Sequence, residues 1–143
     1  MRRMVKDFNE EVLQATESGQ VDPIALAARH SHIFTKIHPF ECGNGRMSRL
    51  ILNAILFKFT LCLVPFGQDE NCRNEYKNIV MDALLREGVC DLLELEGVPK
   101  ELRPRNWINL ACFVLKHALE TMKEMHQLEQ ISSSQSSSSQ SGT

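Results

Sequence analysis

The chain has 143 residues, about the length of one domain, and 43% of them are hydrophobic, so a folded core is expected. Its 16 Lys and Arg against 18 Asp and Glu give a net charge of -2. That balance lacks the basic excess needed to neutralise a nucleic-acid backbone or to hold the chain on an anionic membrane. We therefore expect neither nucleic acid nor membrane as a partner.

The cysteines favour a reducing, intracellular and cytoplasmic setting. They are odd in number, lie far apart and are mostly flanked by apolar residues, which suits free thiols better than a disulfide framework. The five are Cys42, Cys62, Cys72, Cys90 and Cys112. The first residues carry no apolar run typical of a secretory signal. The apolar stretch 50–66 includes Asn53 and Lys58 and is too short to span a bilayer, so it predicts a buried helix and a loop.

Apolar periodicity predicts two helices in the first 40 residues. Apolar residues recur at helical spacing over 5–13, and the polar residues 18–20 end the pattern. Asp22 followed by Pro23 is typical of an N-cap with proline at the first helical position, which opens a second helix running to about Ile37.

Three further helices are predicted. The third covers 44–59 and is apolar on most sides, which predicts a central, buried helix. A loop over 64–71 precedes a fourth helix ending near Gly88, and a fifth is expected over 106–128. The Ser-rich segment 132–143 cannot bury enough apolar surface and is predicted to be a disordered tail. The fold class is all-α, with about five helices around a central buried helix.

The segment that carries chemistry precedes and opens the third helix. Gly43, Asn44 and Gly45 place two glycines at the mouth of a helix, where backbone N–H groups and the helix dipole suit a phosphate. His38, just before this loop, is a group able to take a proton near neutral pH.

Arginines follow the loop on the third helix. Arg46, Arg49 and Asn53 are spaced i, i+3 and i+7, so they share one helix face, where guanidinium groups can bind phosphate oxygens. From this chemistry alone, a plain turn and helix cap with two solvated arginines and a structural histidine is an equally good interpretation.

The whole string, His-Pro-Phe, two residues, Gly-Asn-Gly-Arg, two residues and Arg, resembles the signature of the Fic (Fido-fold) family of nucleotidyl transferases. Residues 27–37 resemble the helix that leads to the family's loop, and Arg73 and Tyr76 resemble an Arg and a Tyr of the next helix. The resemblance covers about 5–85, with 86–131 as the helical remainder of one Fic-like domain over 1–131.

The resemblance implies protein adenylyl transfer (AMPylation), with ATP as donor and a protein Ser, Thr or Tyr hydroxyl as acceptor, or the removal of that AMP at the same site. It implies His38 as general base, Gly43, Asn44 and Gly45 as the phosphate cradle, and Arg46 and Arg49 on the outer phosphates. It also implies that Phe40 anchors the loop in the core.

Cys42 departs from the family pattern, which has Asp or Glu there to hold a magnesium ion. A soft thiol serves a hard, oxygen-preferring ion poorly, and the acidic Glu41 lies one position early. No metal ligand is therefore assigned, and magnesium, though expected of the family, is not expected to be well bound. In the family a β-hairpin flap upstream of this first helix docks targets, and the sequence begins too late to include it; we expect either an incomplete product or a domain that has lost this mode of target binding. The alternative function is a catalytically degenerate module that binds nucleotide or protein.

Two other interpretations concern His and Tyr side chains. His30, His32, His38 and Cys42 are good zinc ligands, but their spacing matches no familiar closed site, so zinc is disfavoured. Tyr76 either lines an adenine pocket or fills the core, and the core interpretation is favoured.

Overall fold

In the computed structural model, which describes residues 1–66, 69–92 and 105–138, all regular structure is helical. This confirms the predicted all-α class for the part of the chain described. The five helices are α1 (Arg2–Ser18), α2 (Pro23–Ile37), α3 (Asn44–Thr60), α4 (Glu70–Leu92) and α5 (Ile108–Ser138).

The boundary between α1 and α2 follows from local chemistry, as predicted. Gly19 adopts a left-handed conformation (φ 66°) after α1, and its N–H donates to the carbonyl of Thr16. The Asp22 carboxylate accepts the Ala25 N–H at 3.0 Å, with Pro23 in the first turn of α2. A capped terminus on each side therefore fixes the short connection between the two helices.

A central buried helix is present, but it is α2 rather than the predicted α3. α2 contacts α1, α3 and α5, and it buries most of its length, from Leu26 to Phe34. α3 packs chiefly against α2, and its Leu50 and Phe57 are 62% and 48% exposed. The prediction that α3 is buried on most sides is therefore wrong, because part of its apolar surface contacts no other element within the described residues.

The core joins α2 and α3 to α4, α5 and the segment before α4. Its largest buried side chains include Phe34, Leu52, Leu56, Leu110 and Val114. Asn53 holds the segment after α3 in place, because its amide donates to the carbonyl of Val64 (2.9 Å) and accepts the N–H of the same residue (2.8 Å). Phe66 then packs between the rings of Tyr76 and Phe113.

The later helices are longer than predicted. α4 begins at Glu70, inside the predicted loop, because the Asp69 carboxylate caps it by accepting the Cys72 N–H at 2.9 Å. It also continues past Gly88 to Leu92. α5 runs to Ser138, so residues 132–138, predicted as disordered tail, are helical. Extension of an existing helix adds one hydrogen bond for each residue, which favours its continuation into this segment. The remaining tail residues, 139–143, lie outside the described residues.

The membrane prediction was tested on the described helices. None of them combines the length and apolar character needed to cross a bilayer. The stretch 50–66 forms the end of α3 and the irregular segment after it, so the predicted order of helix and loop is confirmed, but the helix is not buried throughout, since Leu50 and Phe57 are exposed.

Candidate functional site

The loop between α2 and α3 has two residues in the left-handed region, one at each end. His38 ends α2 with φ 46°, its N–H donating to the Phe34 carbonyl at 3.1 Å, and Gly43 precedes α3 with φ 84°. Glycine adopts this conformation freely, whereas for histidine it is uncommon and costs free energy. The left-handed backbone conformation at His38 is thus imposed by the surrounding loop and is not the one that histidine ordinarily adopts.

Asn44 holds the loop together from inside. Its side chain is 4% exposed; its Oδ1 accepts the Phe40 N–H at 3.1 Å, and its Nδ2 donates to the Phe40 carbonyl at 2.6 Å. The Nδ2 atom also lies 3.2 Å from Nε2 and 3.4 Å from Nδ1 of His38. An amide nitrogen only donates, so a hydrogen bond from Asn44 to His38 needs an unprotonated ring nitrogen. Asn44 therefore fixes the loop and places its amide against the His38 ring.

Phe40 differs from the expectation. Its ring is 46% exposed, with its centroid 6.2 Å from that of the buried Phe34, so it lies on the core and not in it. The Asn44 side chain, which bonds the Phe40 backbone, does the anchoring instead.

The start of α3 leaves backbone donors open. No side chain caps it, and the N–H groups of Arg46 and Met47 both donate to the Gly43 carbonyl at 3.0 Å. The N–H groups of Asn44 and Gly45, in the first turn, have no intrahelical acceptor. A helix start with open N–H groups and a partial positive charge suits an anion.

The two arginines flank this helix start. Arg46 is exposed, Arg49 is half-buried, and within the described residues neither forms an ion pair. A Cβ at Gly45 would lie 3.8 Å from a guanidinium nitrogen of Arg49, so this side chain passes back over the first turn. The structure thus brings Gly43, Gly45 and the two arginines to one end of α3. Asn53, the third residue of the predicted polar face, instead bonds Val64.

Behind Arg49 lies a buried hydroxyl cluster that sequence reasoning missed. Ser48 Oγ lies 2.8 Å from Ser31 Oγ, 2.9 Å from Thr35 Oγ1 and 2.8 Å from the hydroxyl of Tyr76. These four side chains join α2, α3 and α4. The only sequence signal is weak: Ser31 and Thr35 share one face of α2, and Ser48 follows Asn44 by one turn.

Tyr76 is a core residue, as favoured from the sequence. It is 2% exposed and packs among Phe66 and Phe113, and the guanidinium carbon of Arg49 lies 5.7 Å from its ring centroid. Tyr76 therefore influences the candidate phosphate site indirectly, by its contact with the Arg49 guanidinium.

The two buried histidines of α2 pair with carboxylates in different directions. Buried His30 bonds Glu11 at 2.9 Å, and buried His32 bonds Glu87 at 2.8 Å. The described part of the chain contains no group of three His, Cys, Asp or Glu side chains able to hold a metal ion.

The loop residues do not fit a magnesium site. Cys42 and Glu41 are both exposed, and a thiol beside one carboxylate does not provide the oxygen ligands that magnesium prefers. The charge available to a phosphate here comes instead from the helix start and the arginines.

This site, an open helix start with a histidine and two arginines, defines a helical domain with a candidate phosphate-binding loop. Residues 1–56 match the model of the Fic/DOC family. A Fido domain-containing protein of Dictyostelium discoideum is 51% identical over 72 residues, which is 50% of this chain and 48% of that protein. Residues 1–56 are thus similar to the Fic/DOC family, and these matches support a Fic domain in this part of the chain.

Two relatives carry the name protein adenylyltransferase Fic. That of Nematostella vectensis is 35% identical over 80 residues (54% of this chain, 18% of the relative). That of Drosophila yakuba is 33% identical over 81 residues (55% and 15%). The chain therefore spans about half the length of the Dictyostelium relative and less than a fifth of the length of the two adenylyltransferase relatives. No solved structure matches it.

Proposed function

We propose that the chain transfers AMP from ATP to the hydroxyl of a Ser, Thr or Tyr in a protein target. The observation that carries the proposal is the placement of His38 beside the uncapped start of α3 and its two arginines. The names of the adenylyltransferase relatives support the reaction class.

The proposed step needs a base and an electrophile. For this step, the unprotonated ring nitrogen of His38 exchanges its contact with the Asn44 amide for the target hydroxyl and takes the hydroxyl proton, and the hydroxyl oxygen attacks the α-phosphorus of ATP. The bond from that phosphorus to the bridging oxygen breaks, pyrophosphate leaves, and AMP remains on the target as a phosphate ester. Removal of AMP at the same site would use water as the attacking group.

The phosphates are proposed to lie at the start of α3. The backbone N–H groups of Asn44 and Gly45 would donate to phosphate oxygens, and Gly43 would let them approach closely. Arg46 and Arg49 would bind the outer phosphates. Asn44 contributes through its backbone, because its side chain bonds Phe40 and His38.

A second candidate is a module that binds nucleotide or protein without catalysis. Cys42 favours it, because the thiol stands where the resemblance predicts a metal-binding carboxylate, and no metal-binding group forms among the described residues. Without a metal, less of the charge that develops on the phosphates is neutralised.

Two measurements separate the candidates. Calorimetric titration with ATP, with and without magnesium, tests binding, and α-phosphate-labelled ATP with candidate targets tests transfer. Label on a target that is lost in His38→Ala, with ATP binding retained, supports transfer. Label produced only by Cys42→Asp, together with magnesium-enhanced binding in that variant alone, supports the module. Absence of ATP binding in both proteins contradicts AMP transfer and a nucleotide-binding module, and leaves only a module that binds protein.

A further inference from the structure

A cysteine, a histidine and a glutamate outside the loop site form a chain of contacts between α4 and α5. Cys72 lies in the first turn of α4, half-buried, and its Sγ is 3.9 Å from Nε2 of His117. The other ring nitrogen of His117, Nδ1, is 3.1 Å from Oε2 of Glu120. The sequence gives no hint of the pair, because Cys72 and His117 lie 45 positions apart.

This order of groups activates a thiol. With its proton on Nδ1, His117 donates to the Glu120 carboxylate, which leaves the Nε2 lone pair facing the thiol. Transfer of the thiol proton to Nε2 gives a thiolate beside an imidazolium, and the glutamate stabilises that imidazolium. Nucleophile, base and orienting carboxylate are arranged in the same order at sites that use cysteine as a nucleophile.

The packing around His117 holds the ring in place. Its centroid is 4.5 Å from that of Phe113 and 6.2 Å from that of Phe66, in edge-on arrangements. Its side chain is 19% exposed, so the ring is held mainly by packing.

Other charges near Cys72 act on the stability of its thiolate in opposite directions. The start of α4 favours a thiolate, as helix N-termini do. Asp69 opposes it, because its carboxylate accepts the Cys72 N–H at 2.9 Å. The contacts given for Cys72 include the Asp69 carboxylate at its N–H and His117 at its sulfur, with Glu120 bonded to the far side of His117.

We propose that Cys72 is a reactive thiol, activated by His117, that forms mixed disulfides with small disulfide molecules. The Cys72 proton passes to Nε2 of His117, and the thiolate attacks one sulfur of the small disulfide. The sulfur–sulfur bond of that molecule breaks, its second half leaves as a thiolate and takes a proton, and the first half stays bonded to Cys72. Cys72 is oxidised and the departing half is reduced, so electrons balance without a further oxidant.

The other thiols provide internal comparisons. Cys112 on α5 is exposed and makes no hydrogen bond to a described side chain. Cys62 is buried, and burial raises the pKa of its thiol. If exposure alone decided reactivity, Cys112 would be the more reactive of Cys72 and Cys112 at every pH.

The test is the pH dependence of mixed-disulfide formation with oxidised glutathione, measured on the full chain and mapped to each cysteine by mass spectrometry. A thiol without an activating base reacts about tenfold more slowly for each pH unit below its pKa, and Cys112 provides the comparison for this slope. The rate at Cys72 should fall less than about threefold between roughly pH 7 and pH 6, because its thiolate persists. Parallel pH profiles for the two cysteines would overturn the proposal.

Variants show whether His117 is responsible. His117→Gln should give Cys72 the steep pH profile of Cys112, and Glu120→Gln should shift it in the same direction by less. Glu129→Gln is the matched control, because Glu129 lies 4.0 Å from His126 on the same helix. If His117→Gln does not fold, Glu120→Gln decides, since Glu120 is 52% exposed; an unchanged Cys72 profile in the folded variant contradicts the proposal.

Discussion

The guanidinium group of Arg49 lies over the ring of Tyr76, 5.7 Å from its centroid, at the edge of the candidate phosphate site. The hydroxyl of the same ring bonds Ser48 at 2.8 Å, in the turn that precedes Arg49 on α3. One core side chain therefore contacts both the Ser48 hydroxyl and the Arg49 guanidinium of this turn. Such support restricts the arginine without neutralising its charge, which leaves that charge for an anion.

Replacing Tyr76 separates these two contacts. Tyr76→Phe keeps the ring and should cost about 1 kcal/mol of stability, since Ser48 retains Ser31 and Thr35 as partners. Its ATP affinity should equal that of the unchanged chain. Tyr76→Leu removes the ring and should lower both stability and ATP affinity, measured by urea unfolding and calorimetry.

Phe113→Leu is the control for the loss of a ring. Phe113 packs in the same aromatic cluster, with its centroid 6.3 Å from that of Tyr76, and Arg49 is placed over Tyr76 only. This variant should lose stability but keep its ATP affinity. Equal ATP affinities in Tyr76→Leu and Phe113→Leu would show that the contact does not position Arg49.

The two loop glycines should respond to alanine with opposite changes in stability. At Gly43, φ is 84° and a Cβ meets nothing within 4 Å, so Gly43→Ala should cost about 1–2 kcal/mol through backbone strain alone. Gly45 lies in the first turn of α3 without a positive φ, so Gly45→Ala should stabilise the chain by up to about 1 kcal/mol. Thermal or urea unfolding measures both.

Gly45→Ala also tests the phosphate site. The added methyl group stands at the open N–H groups and 3.8 Å from Arg49, so ATP affinity should fall although stability rises. An unchanged affinity would place the phosphates elsewhere.

The two hydrogen bonds from the Asn44 side chain to the Phe40 backbone recur between Asn53 and Val64, so Asn53 provides a control for Asn44. Asn44 bonds both backbone polar groups of Phe40, and Asn53 does the same to Val64. Asn44→Ala and Asn53→Ala should each cost roughly 1–3 kcal/mol, because partly buried backbone groups lose their partners.

Only the Asn44 variant should affect the site. Without the hydrogen bonds from Asn44, the loop that carries His38 loosens, so ATP binding and any transfer activity should decrease in Asn44→Ala and persist in Asn53→Ala. Similar binding by the two variants would limit Asn44 to a role in stability.

Local signals explain what the sequence predicted well. Asp22 and Pro23 start α2, Gly19 ends α1 and Gly43 precedes α3, and each depends on a few neighbouring residues. The prediction of the loop site uses the same kind of local signal, since its residues lie within 12 consecutive positions, 38–49. At Gly88, however, the glycine did not end α4, because its helix penalty of about 1 kcal/mol is small against the packing of a long helix.

Contacts between distant positions explain what was missed. The partner of Asn53 is 11 residues away, and that of Ser48 in α4 is 28 residues away. Helical periodicity identified the face on which Asn53 lies but not the group it meets. Periodicity also shows that α3 is apolar on most sides, but it does not show which side contacts α2. It therefore predicts burial of Leu50 and Phe57, which are exposed in the structure.

Glu87 links α4 to α2 and should make stability depend on acid. Its carboxylate accepts hydrogen bonds from Lys36 at 2.9 Å and from His32 at 2.8 Å. Burial by itself raises the pKa of Glu87, but the hydrogen bonds and charges of Lys36 and His32 outweigh it and lower this pKa below the ordinary 4.5. A carboxyl with a depressed folded-state pKa stabilises the fold above its unfolded pKa, and this is lost as pH falls through the folded-state value.

Glu87→Gln should therefore be less stable than the unchanged chain by about 1–2 kcal/mol at neutral pH, the usual size of a charged hydrogen bond that is partly exposed. The difference should shrink below about pH 4.5 and vanish once the wild-type carboxyl is protonated. Urea unfolding across this pH range measures it. Glu10→Gln is the control, because Glu10 meets Lys6 at 3.6 Å with both side chains more than half exposed, and it should change stability little at any pH. A pH-independent difference for Glu87→Gln would mean that packing, and not its charge, joins the two helices.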